Sequence, residues 1–289
     1  MNPLVSICIP TYNGELYIAE ALESAIQQTY SNLEIVVTDD ASKDATLKIV
    51  EGFRSKTSIP IFIYPHEPTG IGANWNYCVS KANGAYIKFL FQDDVIAPTC
   101  ITKMMALALT DSKIGFVYCR RAFLFETLTP QIESFIAYYR DLHRYWDNFI
   151  VREGVLSGTT YLKDPQFLNS PKNKIGEPPN VLLRRDCFER IGYFSEELQQ
   201  ALDSDYWYRV MTMFDIGFID EALVKFRLHK AQASTINKQR VIPDKDLVYR
   251  RYYDYLFGYL HPKCQLKLLK LYHPVFKTLV KIKRFFYVL

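Results

Sequence analysis

The chain has 289 residues, of which 49% are hydrophobic and 23% are charged. This composition supports a folded domain with a buried core and excludes a disordered tail, and 12 glycines and 14 prolines exclude a collagen-like chain. The six cysteines form no C-x-x-C pair, so neither a zinc ribbon nor a dense disulfide framework is expected. With no signal-peptide pattern and no apolar run of about 20 residues, a cytoplasmic location is predicted.

The net charge of +4 is concentrated at the C-terminus. Residues 262–289 contain seven Lys or Arg and no Asp or Glu, and removing these seven charges from +4 leaves −3 for the rest of the chain. A basic tail on an otherwise slightly acidic chain does not predict nucleic-acid binding.

Apolar runs alternate with amphipathic segments through the first 115 residues. The predicted strands are 4–10, 33–38, 59–64 and 85–91, and the predicted helices are 15–28, 43–54, 71–82 and 98–109. Ser42 is placed as the N-cap of the second helix. Strands that alternate with helices at this spacing form right-handed crossovers and a mostly parallel sheet.

The pattern weakens after residue 115. The predicted elements are a strand at 116–125, an aromatic-rich helix at 131–150, a long loop at 154–179, a strand at 181–185, helices at 186–191 and 203–214, and a strand pair across 217–228. A loop of such length is usually functional or mobile.

Sheets of this kind bind ligands beyond the carboxyl ends of their strands. The segments that follow the first four predicted strands are 10–14, 39–42, 66–72 and 92–94, and three of these four are polar or acidic. None matches G-x-G-x-x-G or the P-loop pattern, which argues against a dinucleotide fold and a P-loop enzyme.

Five segments in register resemble the family 2 glycosyltransferases, which are inverting enzymes with the GT-A fold. They are 5–13, 34–44, 84–94, 203–209 and 226–229, within a resemblance that covers Val5 to Ser234. The resemblance implies an α/β, GT-A-type mixed and mostly parallel sheet flanked by helices, with a C-terminal helical appendage.

The same resemblance implies a nucleotide-binding group after the first two strands. Pro10, Tyr12 and Asn13 would contact the nucleotide of a sugar donor, and Asp39 would accept the imide N–H of uracil or thymine, which favours UDP or dTDP. A purely structural turn is the alternative for the first segment, and helix capping is the alternative for Asp40.

The fourth segment departs from the family pattern. Phe91-Gln92-Asp93 stands in the register of the usual Asp-x-Asp pair, so only Asp93 remains to hold Mg²⁺ or Mn²⁺, with Gln92 beside the donor. His229 is the predicted second metal ligand. The alternatives are a solvated helix N-terminus for Asp93 and Asp94, and a structural histidine.

Asp203 is the predicted catalytic base, although Leu202 stands where the family commonly has Glu. A carboxylate there would take the proton of the acceptor hydroxyl while the diphosphate leaves from the opposite face. Asp205 lies about 200° further around a helix, so it cannot share the face of Asp203, and a structural ion pair is predicted for it.

The predicted domains are a catalytic domain at 1–234, with a nucleotide-binding half (1–115) and an acceptor-binding half (116–234), and a basic amphipathic helical region at 235–289. Lysines interleaved with apolar residues in this last region suit an anionic membrane surface, and a helix packed on the catalytic domain is the alternative. The expected partners are a nucleotide-sugar donor and a saccharide or lipid-linked saccharide acceptor, without nucleic acid.

We therefore expect an inverting glycosyltransferase of surface polysaccharide or lipopolysaccharide assembly, peripheral on the inner face of the cell membrane. Two alternatives stay open. A nucleotidyltransferase would generally open with a glycine-rich basic loop in place of 10–14, and a non-catalytic nucleotide-sugar-binding protein is favoured by Phe91 and opposed by Asp203.

Overall fold

The computed structural model describes residues 2–230, 232, 242 and 244–278. Its strands are β1 Val5–Thr11, β2 Leu33–Asp39, β3 Ile61–Pro65, β4 Tyr86–Phe89, β5 Val95–Ile96, β6 Ile114–Leu124, β7 Gly154–Ser157, β8 Val181–Arg184 and β9 Asp215–Arg227. Its α-helices are α1 Ile18–Ile26, α2 Thr46–Phe53, α3 Ile71–Lys81, α4 Cys100–Ala108, α5 Pro130–Tyr139, α6 Gly158–Leu162, α7 Asp186–Ile191, α8 Leu202–Val210, α9 Asp244–Arg251 and α10 Pro262–Tyr272.

The described strands form one mixed sheet in the order β3-β2-β1-β4-β8-β6-β9-β5, with β7 paired to the first part of β9. The first four of these strands are parallel, and every residue of β1, β2 and β4 is buried. Strands that are covered on both faces have continuous apolar sequences. Their positions could therefore be predicted well from the sequence. The predicted α/β class is confirmed.

The direction of β8 decides what meets at the functional edge of the sheet. This strand runs antiparallel to both β4 and β6. The residues that precede β8 therefore lie beside the residues that follow β4. As a result, the segment before Val181 lies at the same edge as the loops after β1, β2 and β4.

The second half of the chain differs from its predicted elements. The expected strand pair at 217–228 is the single strand β9, which continues past the exposed Asp220 and Glu221 with register shifts against β6. The predicted loop at 154–179 contains β7 and α6, and the predicted helix at 131–150 ends at Tyr139. Polar residues inside a bulged strand resemble a turn when only the sequence is read.

Ser42 does not cap α2, so that prediction is wrong. The chain turns at Ala41, whose φ is 62°, and the Ser42 hydroxyl donates to Asp39 Oδ1 at 2.6 Å. The helix begins three residues beyond Lys43, where the Asp44 carboxylate accepts the N–H of Thr46 at 3.0 Å. Asp44 thus supplies the acceptor expected from Ser42.

The described C-terminal helices pack on the rest of the protein. Tyr252 and Leu256, in a π-helical turn after α9, and Leu268 of α10 belong to the same hydrophobic cluster as α8. The packed-helix alternative is therefore confirmed for one face of α10. The predicted boundary at residues 234 and 235 and the tail at 279–289 lie outside the described residues, and none of the described helices has the length and apolar character of a membrane span.

Candidate active site

The loop after β1 presents Tyr12 to solvent and uses Asn13 for its own shape. Tyr12 is 55% exposed. Asn13 has a φ of 48°, donates its N–H to the Ser42 hydroxyl at 2.8 Å and accepts the N–H of Lys43 at the same distance. Pro10 is buried within the strand, opposite Thr38. Among the residues predicted in this loop, Tyr12 is the one most free to touch a ligand.

Asp39 is fully buried at the end of β2, where its carboxylate binds the neighbouring loops. It accepts the Ser42 N–H at 2.8 Å, the Ser42 hydroxyl at 2.6 Å and the Thr11 hydroxyl at 2.8 Å. These contacts fix the first two loops against each other. The predicted contact of Asp39 with a base stays a prediction.

Asp40 connects the second loop to the third. Its carboxylate accepts the N–H groups of Thr69 at 2.8 Å and Gly70 at 3.3 Å, just before α3. His66 in that third loop borders an open cleft of about 570 Å³ beside Tyr77 and Tyr193. Asp40 therefore shapes this part of the edge and does not cap α2.

Gln92, after β4, closes the first loop. Its side-chain amide accepts the N–H of Tyr12 at 2.9 Å and donates to the Tyr12 carbonyl at 3.0 Å. A Cβ atom on Gly14 would lie 2.4 Å from Gln92 Oε1, so a side chain at this position would push the Gln92 amide away from Tyr12. Phe91, at the register of the missing carboxylate, packs on Trp75 with ring centroids 5.1 Å apart.

The two predicted metal ligands meet although they are far apart in sequence. His229 Nε2 lies 2.9 Å from Asp93 Oδ2, and both side chains are partly exposed. Arg227 donates from Nε to the Asp93 carbonyl at 2.8 Å, and the Tyr17 ring packs against both Arg227 and His229. These contacts hold the pair at the end of β4.

This pair suits a cation that also binds substrate oxygens. The Asp93 carboxylate is a ligand type that suits Mg²⁺ or Mn²⁺, with substrate phosphates and waters completing the coordination, whereas the His229 imidazole is a softer nitrogen ligand that Mg²⁺ uses less often. Within the described residues, no group of three or more His, Cys, Asp or Glu could hold a metal ion. The donor set therefore fits a shared site but not a cage built by protein alone.

Asp94 is internal. Its Oδ1 accepts the N–H of Arg227 at 2.9 Å, its Oδ2 has no hydrogen-bond partner among the described residues, and burial raises its pKa well above the usual range. The alternative of a solvated helix N-terminus is therefore wrong for Asp94, and α4 begins only at Cys100.

Asp203 lies in the first turn of α8, almost buried. Its Oδ2 accepts a hydrogen bond from Asn173 Nδ2 at 2.8 Å, and its Oδ1 accepts the N–H of Ser204 at 2.6 Å. Burial, and then the negative charge of Glu177, raise the pKa of Asp203 to about 7, although these hydrogen bonds oppose the rise. A carboxyl with this pKa can take up a proton near neutral pH.

The segment before β8 is fastened to the helix that carries Asp203. The indole N–H of Trp207 donates to the Gly176 carbonyl at 2.9 Å, and Asn173 Nδ2 donates to the same oxygen, also at 2.9 Å. The orientation of Asp203 is thus set by a loop that the sequence marked only as long and polar.

Asp205 faces away from Asp203 and is buried between two guanidinium groups. Arg209 Nε lies 3.0 Å from its Oδ2, and Arg251 Nε of α9 lies 2.8 Å from its Oδ1. The predicted structural ion pair is confirmed. Leu202 is buried in the core.

Sequence reasoning missed several residues at this edge, among them Asn173, Glu177, Arg121 and Tyr17. Glu177 Oε2 lies 3.0 Å from Arg121 Nη1. One sequence feature could have indicated Glu177. It directly precedes Pro178, Pro179 and the following strand, at a point where the chain enters the sheet.

Comparison with known proteins identifies the family of this chain. The model of Glycosyl transferase family 2 matches residues 6–192. An uncharacterized glycosyltransferase of Rickettsia typhi is 31% identical over 240 residues, which cover 81% of this chain and 66% of that protein. One of Haemophilus influenzae is 25% identical over 98% of this chain and 93% of its own length. The chain thus spans slightly less than two thirds of the R. typhi relative.

Solved structures share the fold. S. aureus TarS 1–349 in complex with UDP-GlcNAc has a TM-score of 0.65 at 20% identity, covering 93% of this chain and 71% of that one. The mannosyltransferase PcManGT of Pyrobaculum calidifontis, in complex with GDP-Man and Mn²⁺, has a TM-score of 0.60 at 17% identity, covering 100% of this chain and 81% of that one. These similarities confirm the predicted GT-A fold. Because the family match covers more than half of the chain, this protein belongs to glycosyltransferase family 2.

Proposed function

We propose that this protein is an inverting glycosyltransferase that moves a sugar from a UDP-sugar or dTDP-sugar to an acceptor hydroxyl. The observation that carries the proposal is Asp203, a nearly buried carboxyl at the start of α8 with a pKa raised to about 7. Its partners come from the segment before β8, at the edge where Asp93 and His229 meet. A base and a diphosphate-binding pair at one edge are what this reaction needs.

The donor would bind across the loops after β1, β2 and β4. Tyr12 offers an exposed ring, Asn13, Asp39 and Gln92 hold the shape of the loops, and Pro10 anchors the first of them in the sheet. Preference for uracil or thymine is supported by the sequence pattern at Asp39 and by the fold shared with TarS, whose structures contain UDP and UDP-GlcNAc.

Asp93 and His229 would hold Mg²⁺ or Mn²⁺ against the diphosphate. When bound, the ion would neutralise charge on the departing diphosphate. Support comes from the 2.9 Å approach of the two side chains and from their exposure, and PcManGT, a protein of the same fold, contains Mn²⁺. Arg227 and Tyr17 contact the pair and hold the two side chains together.

Asp203 would act as general base. It takes the proton of the acceptor hydroxyl, whose oxygen forms a bond to the anomeric carbon. The bond between that carbon and the phosphate oxygen breaks on the opposite face, and the nucleoside diphosphate leaves with the bonding electron pair. Attack from the face opposite to the leaving group inverts the anomeric centre. A pKa of about 7 leaves a substantial fraction of Asp203 ionised near neutral pH.

The acceptor is proposed to be a saccharide, lipid-linked in surface polysaccharide or lipopolysaccharide assembly. Support comes from α10, which packs Leu268 inward and turns lysines and apolar side chains outward. The exposed residues of this outward face are Lys263, Leu266, Lys267, Lys270 and Leu271. Such a basic apolar surface suits an anionic membrane, which would keep the otherwise cytoplasmic protein at the inner face of the cell membrane.

The experiment is incubation with a panel of nucleotide sugars, with and without a lipid-linked saccharide, while released nucleoside diphosphate is measured. A transferase releases UDP or dTDP in an acceptor-dependent manner and loses this activity in Asp203→Asn. Binding of nucleotide sugar without release in every arm would favour a non-catalytic binding protein. Release of pyrophosphate from a nucleoside triphosphate would identify a nucleotidyltransferase.

A further inference from the structure

Glu177 lies at the active edge because of the direction of β8. It directly precedes the 3₁₀ turn Pro178–Asn180 and then β8, whose antiparallel pairing places its amino end beside the carboxyl end of β4. The same segment holds Asn173, which binds Asp203. Glu177 therefore lies at the same edge of the sheet as the proposed donor loops and the proposed base.

A buried cation fixes one end of this carboxylate. Arg121 Nη1 lies 3.0 Å from Glu177 Oε2, and the Arg121 side chain is 3% exposed whereas that of Glu177 is 25% exposed. Arg121 also donates from Nη2 to the Tyr139 carbonyl at 3.1 Å, and Phe123 and Phe226 pack on its guanidinium group. The guanidinium is thus held from several sides, which orients Glu177.

The other oxygen of Glu177 is available. Oε2 faces Arg121, whereas Oε1 has no hydrogen-bond partner within the part of the chain that the structure describes. A partly exposed carboxylate oxygen at a sheet edge is a strong acceptor for a sugar hydroxyl. The Glu177 carboxylate lies near the carboxyl groups of Asp94 and Asp203, and the repulsion between these groups costs electrostatic free energy. An ion pair with a purely structural role would not need to be placed there.

Titratable groups near Glu177 and Asp203 bear on the protonation of Asp203. Asp203 is influenced by the charge of Glu177, and Tyr208 and Tyr252 also lie close to it. Burial raises the pKa of both tyrosines, so they stay neutral where Asp203 titrates. Glu177 itself acts on Asp94 and on Tyr139 beside Arg121.

We propose that Glu177, held by Arg121, binds a hydroxyl group of the acceptor saccharide next to the hydroxyl that Asp203 deprotonates. This inference rests on the proposed function and names a residue for acceptor recognition that the family pattern did not supply. A carboxylate in this position selects acceptors that offer a hydroxyl donor beside the reacting one. It also makes Asp203 a stronger base, because its negative charge favours the protonated form of its neighbour.

The test is Glu177→Gln, with steady-state kinetics at saturating donor and varied acceptor. We expect the acceptor KM to rise roughly tenfold or more, as for loss of a hydrogen bond to a charged group, while the dissociation constant of the donor stays unchanged. The acid limb of kcat/KM against pH should shift to lower pH, because removal of the neighbouring negative charge lowers the pKa of Asp203. Asp220→Asn, which removes an exposed carboxylate from the adjacent Arg120, is the matched control and should change neither quantity.

Two further variants keep the proposal testable if Glu177→Gln folds poorly. Glu177→Asp keeps the charge but shortens the side chain, which moves the carboxylate oxygens away from the acceptor. The acceptor KM should therefore rise while the acid limb of kcat/KM against pH stays in place. The double variant Glu177→Gln, Arg121→Gln removes both charges and should show the raised KM. Wild-type acceptor KM in Glu177→Asp, or a lowered melting temperature with unchanged KM and acid limb in Glu177→Gln, would overturn the proposal. Absence of acceptor-dependent release of nucleoside diphosphate by the wild-type protein would instead overturn the proposed function itself.

Discussion

Gln92 and Tyr12 exchange two hydrogen bonds, one from the Tyr12 N–H to Gln92 Oε1 at 2.9 Å and one from Gln92 Nε2 to the Tyr12 carbonyl at 3.0 Å. A single side chain after β4 thereby satisfies both polar groups of one residue after β1. This exchange fixes the backbone from which the exposed ring of Tyr12 projects.

Replacing Gln92 with Ala should loosen this loop. The variant loses two hydrogen bonds that each contribute about 0.5–1.5 kcal/mol, so we expect the dissociation constant of the donor to rise roughly tenfold. Donor titration by calorimetry measures this effect. Gln27→Ala, which removes an exposed helix-surface amide paired with Glu23, serves as control. Unchanged donor affinity in Gln92→Ala would show that Tyr12 does not need this anchor.

Asp203→Asn should leave donor binding nearly intact and reduce turnover by roughly 10²-fold or more, the range expected for a general base. The amide keeps the shape of the carboxylate but cannot accept the proton. Single-turnover rates and the donor dissociation constant measured on the same preparation separate the two effects. A variant that keeps more than half of the wild-type rate would assign the base to another residue.

The raised pKa of Asp203 should appear both in activity and in stability. Activity needs the ionised base, so kcat/KM should increase with pH up to about 7 and then level off. The folded state binds this proton more tightly than the unfolded state, so stability falls as pH rises from about 4 to about 7. Asp203→Asn has no carboxylate to ionise in the folded protein. Its free energy of unfolding, measured by denaturant titration, should exceed that of the wild type by about 1–3 kcal/mol at pH 8 but not at pH 4.

Asp93→Ala should weaken donor binding and the response to Mg²⁺ or Mn²⁺ together, because the same ion would contact both the carboxylate and the diphosphate. Calorimetric titration of donor with Mn²⁺ and with a chelator gives the two affinities. Asp220→Asn again provides a carboxylate control outside the site. If the chelator leaves wild-type activity unchanged, the metal assignment fails and cationic side chains must balance the diphosphate.

The outward face of α10 can be tested without disturbing its packed face. Truncation after His261 would remove Leu268 from the core, so substitution of Lys263, Lys267 and Lys270 by Gln is the better change. At about 1 kcal/mol for each lysine near an anionic surface, binding to vesicles of phosphatidylserine should weaken on the order of 100-fold.

Co-sedimentation at low and high salt checks this expectation. The triple substitution of exposed Lys48, Lys56 and Lys113 by Gln is the control, because it changes the net charge equally at distant positions. Equal loss in both triple variants would indicate a nonspecific charge effect, and no vesicle binding by wild type would remove the membrane proposal.

The parallel half of the sheet and its loops could be predicted because their signals are local. The buried runs of β1, β2 and β4 are continuous in sequence, and the polar residues that follow each of them are adjacent to it. The meeting of Asp93 with His229 followed from family register, and the structure brings the two together at 2.9 Å.

The environment of Asp203 could not be predicted in the same way. Asn173 contacts Asp203, and the charge of Glu177 acts on it, because β8 enters the sheet antiparallel to β4, and strand direction leaves no local signal in the sequence. Arg121 appears in sequence as a surface cation at the end of an apolar strand, yet the structure buries it beside Phe123 and Phe226. Such roles depend on tertiary neighbours and not on residue type.

The ion pair between Asp205 and Arg251 joins a segment late in the sequence to the helix that carries the proposed base. Asp205 is two residues from Asp203 on the same helical turn, and Arg251 belongs to α9, well beyond the end of the family match at residue 192. A nascent chain that has emerged only as far as β9 would contain the proposed base but neither His229 nor Arg251, so one of the two cations around Asp205 would still be missing. Docking of α9 would therefore complete the charge balance around Asp205, two residues from the proposed base, only late in synthesis.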